Sequence, residues 1–542
     1  MSEEGREPEG QEQKSHDISS ASEDRNQLTY LVTDAPPWYL CIFLAIQHCL
    51  TAFGATISIP LILSEGLCLQ HDSLTQSHLI NSIFFVSGLC TLLQVTFGVR
   101  LPILQGGTFS LLTPTMAMLS MPEWECPAWT RNASLVDTSS PVFKEEWQSR
   151  LRNLQGSIMV ASLLQIVVGF LGVIGFLMRF IGPLTIAPTI TLIGLSLFES
   201  SAAKAGTHWG ISAMTTLLII LFSQYLRLIP VPVPAYNKLK KLHTSKFYIF
   251  QRISILLGIV VSWLICYILT VSDVLPSNPA HYGHLARTDV KGNVISDASW
   301  FTFPYPGQWG VPAVSLAGVF GLMAGIICSM AESMGDYYAC AKLSGAPPPP
   351  RHAINRGIGV EGLGSLLAGA FGTGNGTTSF SENVAVLGIT KSTDMNSSRT
   401  IFIFGFSMFS ALSIPNWIVK NPGSLHTGVK EVDHVLHILL TTNMFVGGFL
   451  GFILDNTIPG TKRERGLPDR EHEDVSDKFS ASLELYDLPF GLTSFLSSQS
   501  WVRYVPFCPW RDRDTDGRTE DNNVMLRRGS ELSSHGEIVE MR

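Results

Sequence analysis

Gly374-Asn375-Gly376-Thr377-Thr378-Ser379-Phe380-Ser381-Glu382-Asn383-Val384-Ala385-Val386-Leu387-Gly388-Ile389-Thr390-Lys391 decides how this chain is read. It sets a carboxylate and a carboxamide, Glu382 and Asn383, at the edge of an otherwise apolar, glycine-rich stretch. A charge in hydrocarbon costs several kcal/mol or more, so an acid in such a stretch is read as functional by default. Glu332 and Asp336 lie on the preceding hydrophobic segment. Three acids so close in an apolar part of the chain point to a polar solute and an ion path.

Outward from these acids, the chain reads as an all-α polytopic membrane protein. Of its 542 residues, 46% are hydrophobic and 15% charged, with a mean hydropathy of +0.24. A soluble protein carries nearer a quarter charged residues. The charges are segregated into the two ends, while long internal runs hold almost none. This argues against a soluble enzyme, and no nucleophile–base set or metal motif supports an enzyme of any kind. The net charge of −7 belongs largely to tails and loops and gives no reason to invoke nucleic acid.

Residues 1–36 read as a disordered tail of Glu, Gln, Ser and Gly. Residues 37–460 form the transmembrane domain, and 461–542 a polar tail with no further span. At ~20 apolar residues per crossing, segments are expected near 38–63, 79–98, 101–120, 154–177, 180–200, 208–226, 253–273, 309–333, 356–374, 375–391, 399–419 and 435–455. The first lacks a basic leader and a cleavage signal, so it reads as a span. The third and tenth are rich in Gly, Ser, Thr and Pro and make poor uniform helices.

Lys/Arg bias sets the orientation. The 227–252 linker carries Arg227, Lys238, Lys240, Lys241, Lys246 and Arg252. Placing it in the cytoplasm puts both termini inside and loops 64–78, 121–153 and 274–308 outside. Asn132-Ala133-Ser134 is then a glycosylation acceptor in an external loop. Cys68 and Cys126 fall on the same oxidising side and are a candidate disulfide pair. Arg527-Arg528-Gly529-Ser530 in the tail matches a basophilic kinase pattern, a match that chance also produces.

Gln47-His48 lies in the middle of the first span, where a histidine is either a packing residue or part of a polar site; the glutamine beside it favours the site. Glu332 and Asp336 are spaced i,i+4 and share one helix face. The competing reading is a helix end with solvated acids, but the sequence stays apolar until Lys342. Gln105-Gly106-Gly107-Thr108-Phe109-Ser110 and Gly374–Ser381 are alike in composition and sit midway in their halves of the chain. Such paired interruptions point to a transporter binding site, although small residues also serve plain helix packing.

At these residues the chain resembles the nucleobase–ascorbate transporter family, in its animal sodium-dependent nucleobase/vitamin C branch. The resemblance covers most of 38–465. The family signature is Gln, Glu or Pro, then Asn, any residue, Gly, four residues, Thr and a basic residue or Gly; here Glu382-Asn383-Val384-Ala385 is followed, after four residues, by Thr390-Lys391. Gln47-His48, Asp336–Ala341, the Pro347–Pro350 run with His352–Gly357, and Asp394–Arg399 also resemble the animal members.

The resemblance implies an inverted seven-plus-seven fold, with a core that moves like an elevator against a gate domain and two broken segments containing short extended strands. Glu332 and Glu382 would hydrogen-bond the solute, with Asn383 beside them. Backbone N–H groups around Phe109, Ser110, Phe380 and Ser381 would meet its carbonyl edges. His48 and Asp336 would belong to the cation site. An acid at position 336, where proton-coupled bacterial members carry His, implies sodium as the coupling ion and no other cofactor. The implied setting is a plasma-membrane homodimer in the lipid bilayer.

Ascorbate-type members resemble Pro-Asn where this chain has Glu382-Asn383. A carboxylate accepts two N–H bonds from a uracil, xanthine or guanine edge, and proline offers no acceptor. A nucleobase is therefore preferred over ascorbate. Two departures stand out. Ala385 replaces the signature glycine, and only Ser392 and Thr393 separate Lys391 from Asp394-Met395-Asn396. Relative to the family, about two spans of ~20 residues each are missing there. A shortened, non-transporting form that modulates a full-length partner is the alternative from another class.

Overall fold

The computed structural model describes residues 38–132, 136–174, 205–226, 229–237, 241–247, 249–278, 281–290, 302–380, 398–420, 427–458 and 483–497, with a few single residues between 188 and 202 and between 499 and 508. Helices dominate. The chain opens with α1 (Trp38–Gly66) and α2 (Ser73–Thr96). Asp72 starts α2 by accepting the Thr75 N–H at 3.0 Å, which satisfies an otherwise orphan donor. Beyond α2 come strand β1 (Gln105–Gly107) and α3 (Phe109–Leu119), whose cap Thr108 accepts the Ser110 N–H at 3.1 Å. α4 (Pro141–Phe170) begins on a proline, which suits a first-turn position because its missing N–H has no intrahelical partner there.

α5 (Trp209–Ile220) leads to a hairpin of β2 (Val231–Asn237) and β3 (Lys241–Phe247), and then to α6 (Ile249–Val271). α7 (Leu316–Leu343) and α8 (Arg351–Phe371) follow. α8 stops at Gly372, whose φ of 70° closes the helix in the left-handed conformation. Strand β4 (Thr377–Ser379), α9 (Ser398–Lys420), α10 (Lys430–Thr441), α11 (Asn443–Thr457) and the short α12 (Leu492–Ser497) complete the described elements.

Among the described residues, Ser73–Thr96, Pro141–Phe170 and Leu316–Lys342 are long and apolar enough to cross a bilayer. α10 and α11 satisfy the same test together but bend by 80°. The 435–455 stretch, expected as one span, is therefore broken at Thr442, which adopts an extended conformation (φ −85°, ψ 100°). The expected 101–120 span is likewise a strand followed by a helix. α4 starts at Pro141, inside the stretch expected as an external loop, and α7 runs to Leu343, ten residues past the expected end at 333. The 227–252 linker contains the β2–β3 hairpin. Most of the expected 180–200 span and all of 381–397 lie outside the described residues.

β1 and β4 pair antiparallel at the centre, with Gln105 opposite Ser379, Gly106 opposite Thr378 and Gly107 opposite Thr377. Backbone polar groups away from water must be satisfied, and two interrupted segments satisfy each other here. Gly106 permits the approach: a Cβ there would run into the Phe380 ring. α2, α3, α4, α7 and α8 surround the pair, with α4 packed on both α7 and α8, α3 on α7, and α2 on α8 and β1. The α4–α8 contact is close enough that a Cβ on Gly362 would fall 2.8 Å from Ile166 N, which is why a small residue stands there. α9, α10 and α11 pack together, as do α5 and α6.

At one end of the bundle Cys68 and Cys126 are joined as a disulfide, with Cα atoms 5.6 Å apart. The buried Arg150 holds this loop by donating to the carbonyls of Trp124 (3.3 Å) and Glu125 (3.1 Å). Asn132 is exposed nearby, and Ala133 and Ser134 lie outside the described residues.

Candidate functional site

Beside the two strands, the first turn of α3 meets the middle of α7. Ser110, in the first turn of α3, donates its hydroxyl to Glu332 Oε2 on α7 at 3.0 Å. One turn further along α7, Asp336 Oδ2 accepts from Ser379 Oγ on β4 at 2.7 Å. The i,i+4 spacing thus points both acids toward the broken segments. Asn375 Nδ2, just before β4, donates to Thr108 O at 2.9 Å and ties the two interruptions to each other.

A third acid occupies the same region. Glu361 on α8 accepts from Ser333 Oγ (2.8 Å), Gln165 Nε2 (3.1 Å), Thr378 Oγ1 (3.2 Å) and Tyr337 Oη (3.0 Å). Tyr337 Oη accepts from Gln94 Nε2 at 2.6 Å. Ser379 Oγ reaches Ser333 Oγ at 3.1 Å, so one chain of hydroxyls runs from Glu361 to Asp336. Relative exposures are 8% for Glu332 and 2% each for Asp336 and Glu361. None of the three is a solvated helix end. Burying a charge is costly unless hydrogen bonds replace its water, and these acids have such bonds.

Sequence reading missed Glu361. The rule that singled out Glu332, an acid inside an apolar run, applies equally to Val360-Glu361-Gly362-Leu363-Gly364. Gln105 opens the Gly-rich run that forms β1. It is 1% exposed, and neither atom of its carboxamide has a hydrogen-bond partner among the described residues. A buried unsatisfied amide calls for an explanation such as a bound solute or water.

Two backbone donors expected to face a solute are engaged elsewhere. The Phe380 N–H donates to Leu104 O at 3.0 Å, extending the strand pairing, and the Ser110 N–H goes to Thr108 Oγ1. Their energetic need for a partner is met inside the protein. Phe109 is half-buried and Phe380 buried. His48 is exposed on α1 and is not among the buried residues around Asp336. Glu382, Asn383 and Ser381 lie outside the described residues.

A permease family model matches residues 40–413. The chain is 43% identical over 547 residues to solute carrier family 23 member 1 of Mus musculus, covering 90% of each protein. Identity to solute carrier family 23 member 2 of Homo sapiens is also 43%, over 90% of this chain and 84% of that protein. Nucleobase-ascorbate transporter 1 of Arabidopsis thaliana is 30% identical, over 87% of this chain and 98% of its own length. With its helices grouped around an antiparallel pair of strands and buried acids beside them, this chain is a membrane transporter of the permease family and belongs to the nucleobase–ascorbate transporters.

Proposed function

We propose that the protein carries nucleobases of the uracil, thymine, guanine, hypoxanthine or xanthine type across the plasma membrane, coupled to sodium. The observation that carries this reading is the buried Ser110–Glu332 bond where the α3 N-terminus meets α7. A carboxylate offers about four acceptor positions. Ser110 takes one, and a heterocycle edge supplies N–H donors of the kind a carboxylate accepts. Glu382 would supply the second carboxylate, with Asn383, Phe109, Phe380 and Ser381 around the solute. The Arabidopsis relative is named for both nucleobase and ascorbate; Glu382 in place of proline favours the nucleobase.

Sodium prefers oxygen ligands. Asp336, Ser333, Ser379 and Thr378 provide a carboxylate and three hydroxyls in one buried cluster, which fits such a cation. His48 is proposed to complete its network. The body made by α2, α3, α4, α7 and α8 would move as the elevator against the remaining helices, within an inverted-repeat dimer. Both termini would be cytoplasmic, and Asn132 would be glycosylated on the outer face near the Cys68–Cys126 bridge.

Labelled uracil uptake into cells expressing this chain, with sodium or choline and normalised to surface protein, tests the reading. Sodium-dependent uptake is expected. Equal uptake in choline removes sodium coupling, and ascorbate uptake in place of uracil reverses the solute assignment.

One observation favours a second reading. An alignment 547 positions long that takes in 90% of a 542-residue chain contains gaps on this chain's side. If they fall after Lys391, two spans are missing, and the chain would act as a non-transporting modulator of a full-length partner. Good surface expression without uptake, together with altered uptake by such a partner, distinguishes this reading.

A further inference from the structure

The polar tail expected after residue 460 returns to the bundle. Leu483–Ser497, with Val502 and 505–508 beyond it, lies at the end opposite the Cys68–Cys126 bridge. Tyr486 and Val502 are fully buried. Three side chains of the bundle grip main-chain carbonyls of this segment. Arg356 Nη2 donates to Tyr486 O at 2.7 Å, Asn355 Nδ2 to Pro506 O at 3.1 Å, and Arg100 to Asp487 O. Tyr486 Oη donates to Pro347 O at 2.5 Å, in the connection between α7 and α8. Phe507 meets Phe170, the last residue of α4, edge-on with ring centroids 5.0 Å apart. Gly172 leaves room for the Pro506 ring, which any Cβ there would strike.

Arg356 shows why this contact matters. Its guanidinium is 2% exposed, and a buried cation needs acceptors. Gly98 O provides one, at 2.8 Å from Nε, and the tail provides another. We infer that this end of the bundle is a docking site for the chain's own C-terminal segment, through residues 483–497, 502 and 505–508, which closes as a clasp over the α2–β1 connection, the end of α4 and the start of α8. The gripped elements belong to the body that carries Ser110, Glu332, Asp336 and Glu361. Glu361 stands on α8 itself, little more than a turn beyond Arg356, so docking of the tail reaches the acids through one helix. That last link rests on the transporter reading; the docking does not.

The test uses purified protein in detergent: the full chain, a chain ending at residue 510 and a chain ending at residue 482. The chain ending at 510 is expected to melt with the full chain, and the one ending at 482 a few degrees lower. A synthetic peptide of residues 483–508 should restore the difference, but not in Asn355→Ala or Arg356→Lys backgrounds. Equal melting of all three chains, or a peptide without effect, overturns the clasp. Should the shortest chain fail to fold, Cys508 reports on the full chain when its own labelled peptide is followed, since the exposed Cys41 and Cys49 also react. At 8% exposure, it should react with maleimide ~10-fold more slowly than in denatured protein, and faster in Asn355→Ala. Reaction at the denatured rate in the intact chain overturns the docking. Uptake measured in parallel separates the two readings. Normal uptake by the chain ending at 482, with lowered melting, keeps the clasp and removes its link to the acids. Absent uptake by the full chain counts against the transporter reading and leaves the docking result standing.

Discussion

Ser110 Oγ stands 3.0 Å from Glu332 Oε2, and that bond joins the first turn of α3 to the middle of α7 across 222 residues of chain. The pair places a carboxylate beside the capped N-terminus of α3. An amide at position 332 keeps one acceptor and loses the charge. Glu332→Gln is therefore expected to reduce uptake by roughly 5- to 150-fold, the equivalent of ~1–3 kcal/mol for an impaired buried hydrogen bond. Surface protein should not change. Normal uptake by this variant would remove Glu332 from the solute site.

Asp336 and Ser379 form another contact between α7 and the broken segments, at 2.7 Å. Asp336→Asn removes the charge that would balance a cation while keeping an oxygen for Ser379. Its sodium response should weaken, with half-saturation moving to higher sodium by ~10-fold or more, as expected for losing a charged ligand. Ser379→Ala, which leaves the carboxylate, should shift it less. If Asp336→Asn responds to sodium as the unaltered chain does, the cation is bound elsewhere.

How much of this was legible in the sequence depends on the element. Gly/Ser/Thr-rich interruptions around Gly106 and Thr378 marked the places where helices fail, because small and hydroxylated residues in a bilayer leave the backbone needing partners. Which strand pairs with which, and that Gln105 faces Ser379, comes from tertiary contact. The bend at Thr442 carried no glycine or proline to announce it; Thr442 Oγ1 instead bonds back to Ile438 O at 2.7 Å as the chain turns. Glu361 was hidden by its glycine neighbours, which read as packing residues, as Gly362 indeed is against α4. The docked tail was unreadable because its grip is on carbonyls, which every residue has.

Glu361 accepts four hydrogen bonds from neighbouring side chains, and its role can be separated from solute binding. Removing the shared acceptor of a buried hydrogen-bond network leaves its donors unsatisfied, at a cost of ~1–3 kcal/mol for each group so stranded. Glu361→Ala should strip the acceptor from Ser333, Thr378, Tyr337 and Gln165 together. The expected result is low surface expression and a melting temperature reduced by ~5 °C or more in detergent. Glu361→Gln retains one carbonyl and should recover part of that loss. Normal melting with absent uptake would instead place Glu361 directly in transport.

Gln105 gives a test in which structure and function pull in opposite directions. Its buried carboxamide has no partner for either atom among the described residues, although its backbone N–H is held by Thr91 Oγ1 at 2.9 Å. A side chain buried for packing alone would be better replaced by an apolar one of similar volume, since an unsatisfied buried polar group costs ~1–3 kcal/mol. Gln105→Leu should therefore leave melting unchanged or raise it. If the amide is kept for a solute or an ordered water beside one, the same change should raise the half-saturating solute concentration by ~5-fold or more, the lower end of that energy range. Higher stability with unchanged uptake would show that the amide is a structural cost and nothing else. Lower stability would mean that a partner absent from the described residues, such as one in 381–397, holds it in the folded protein.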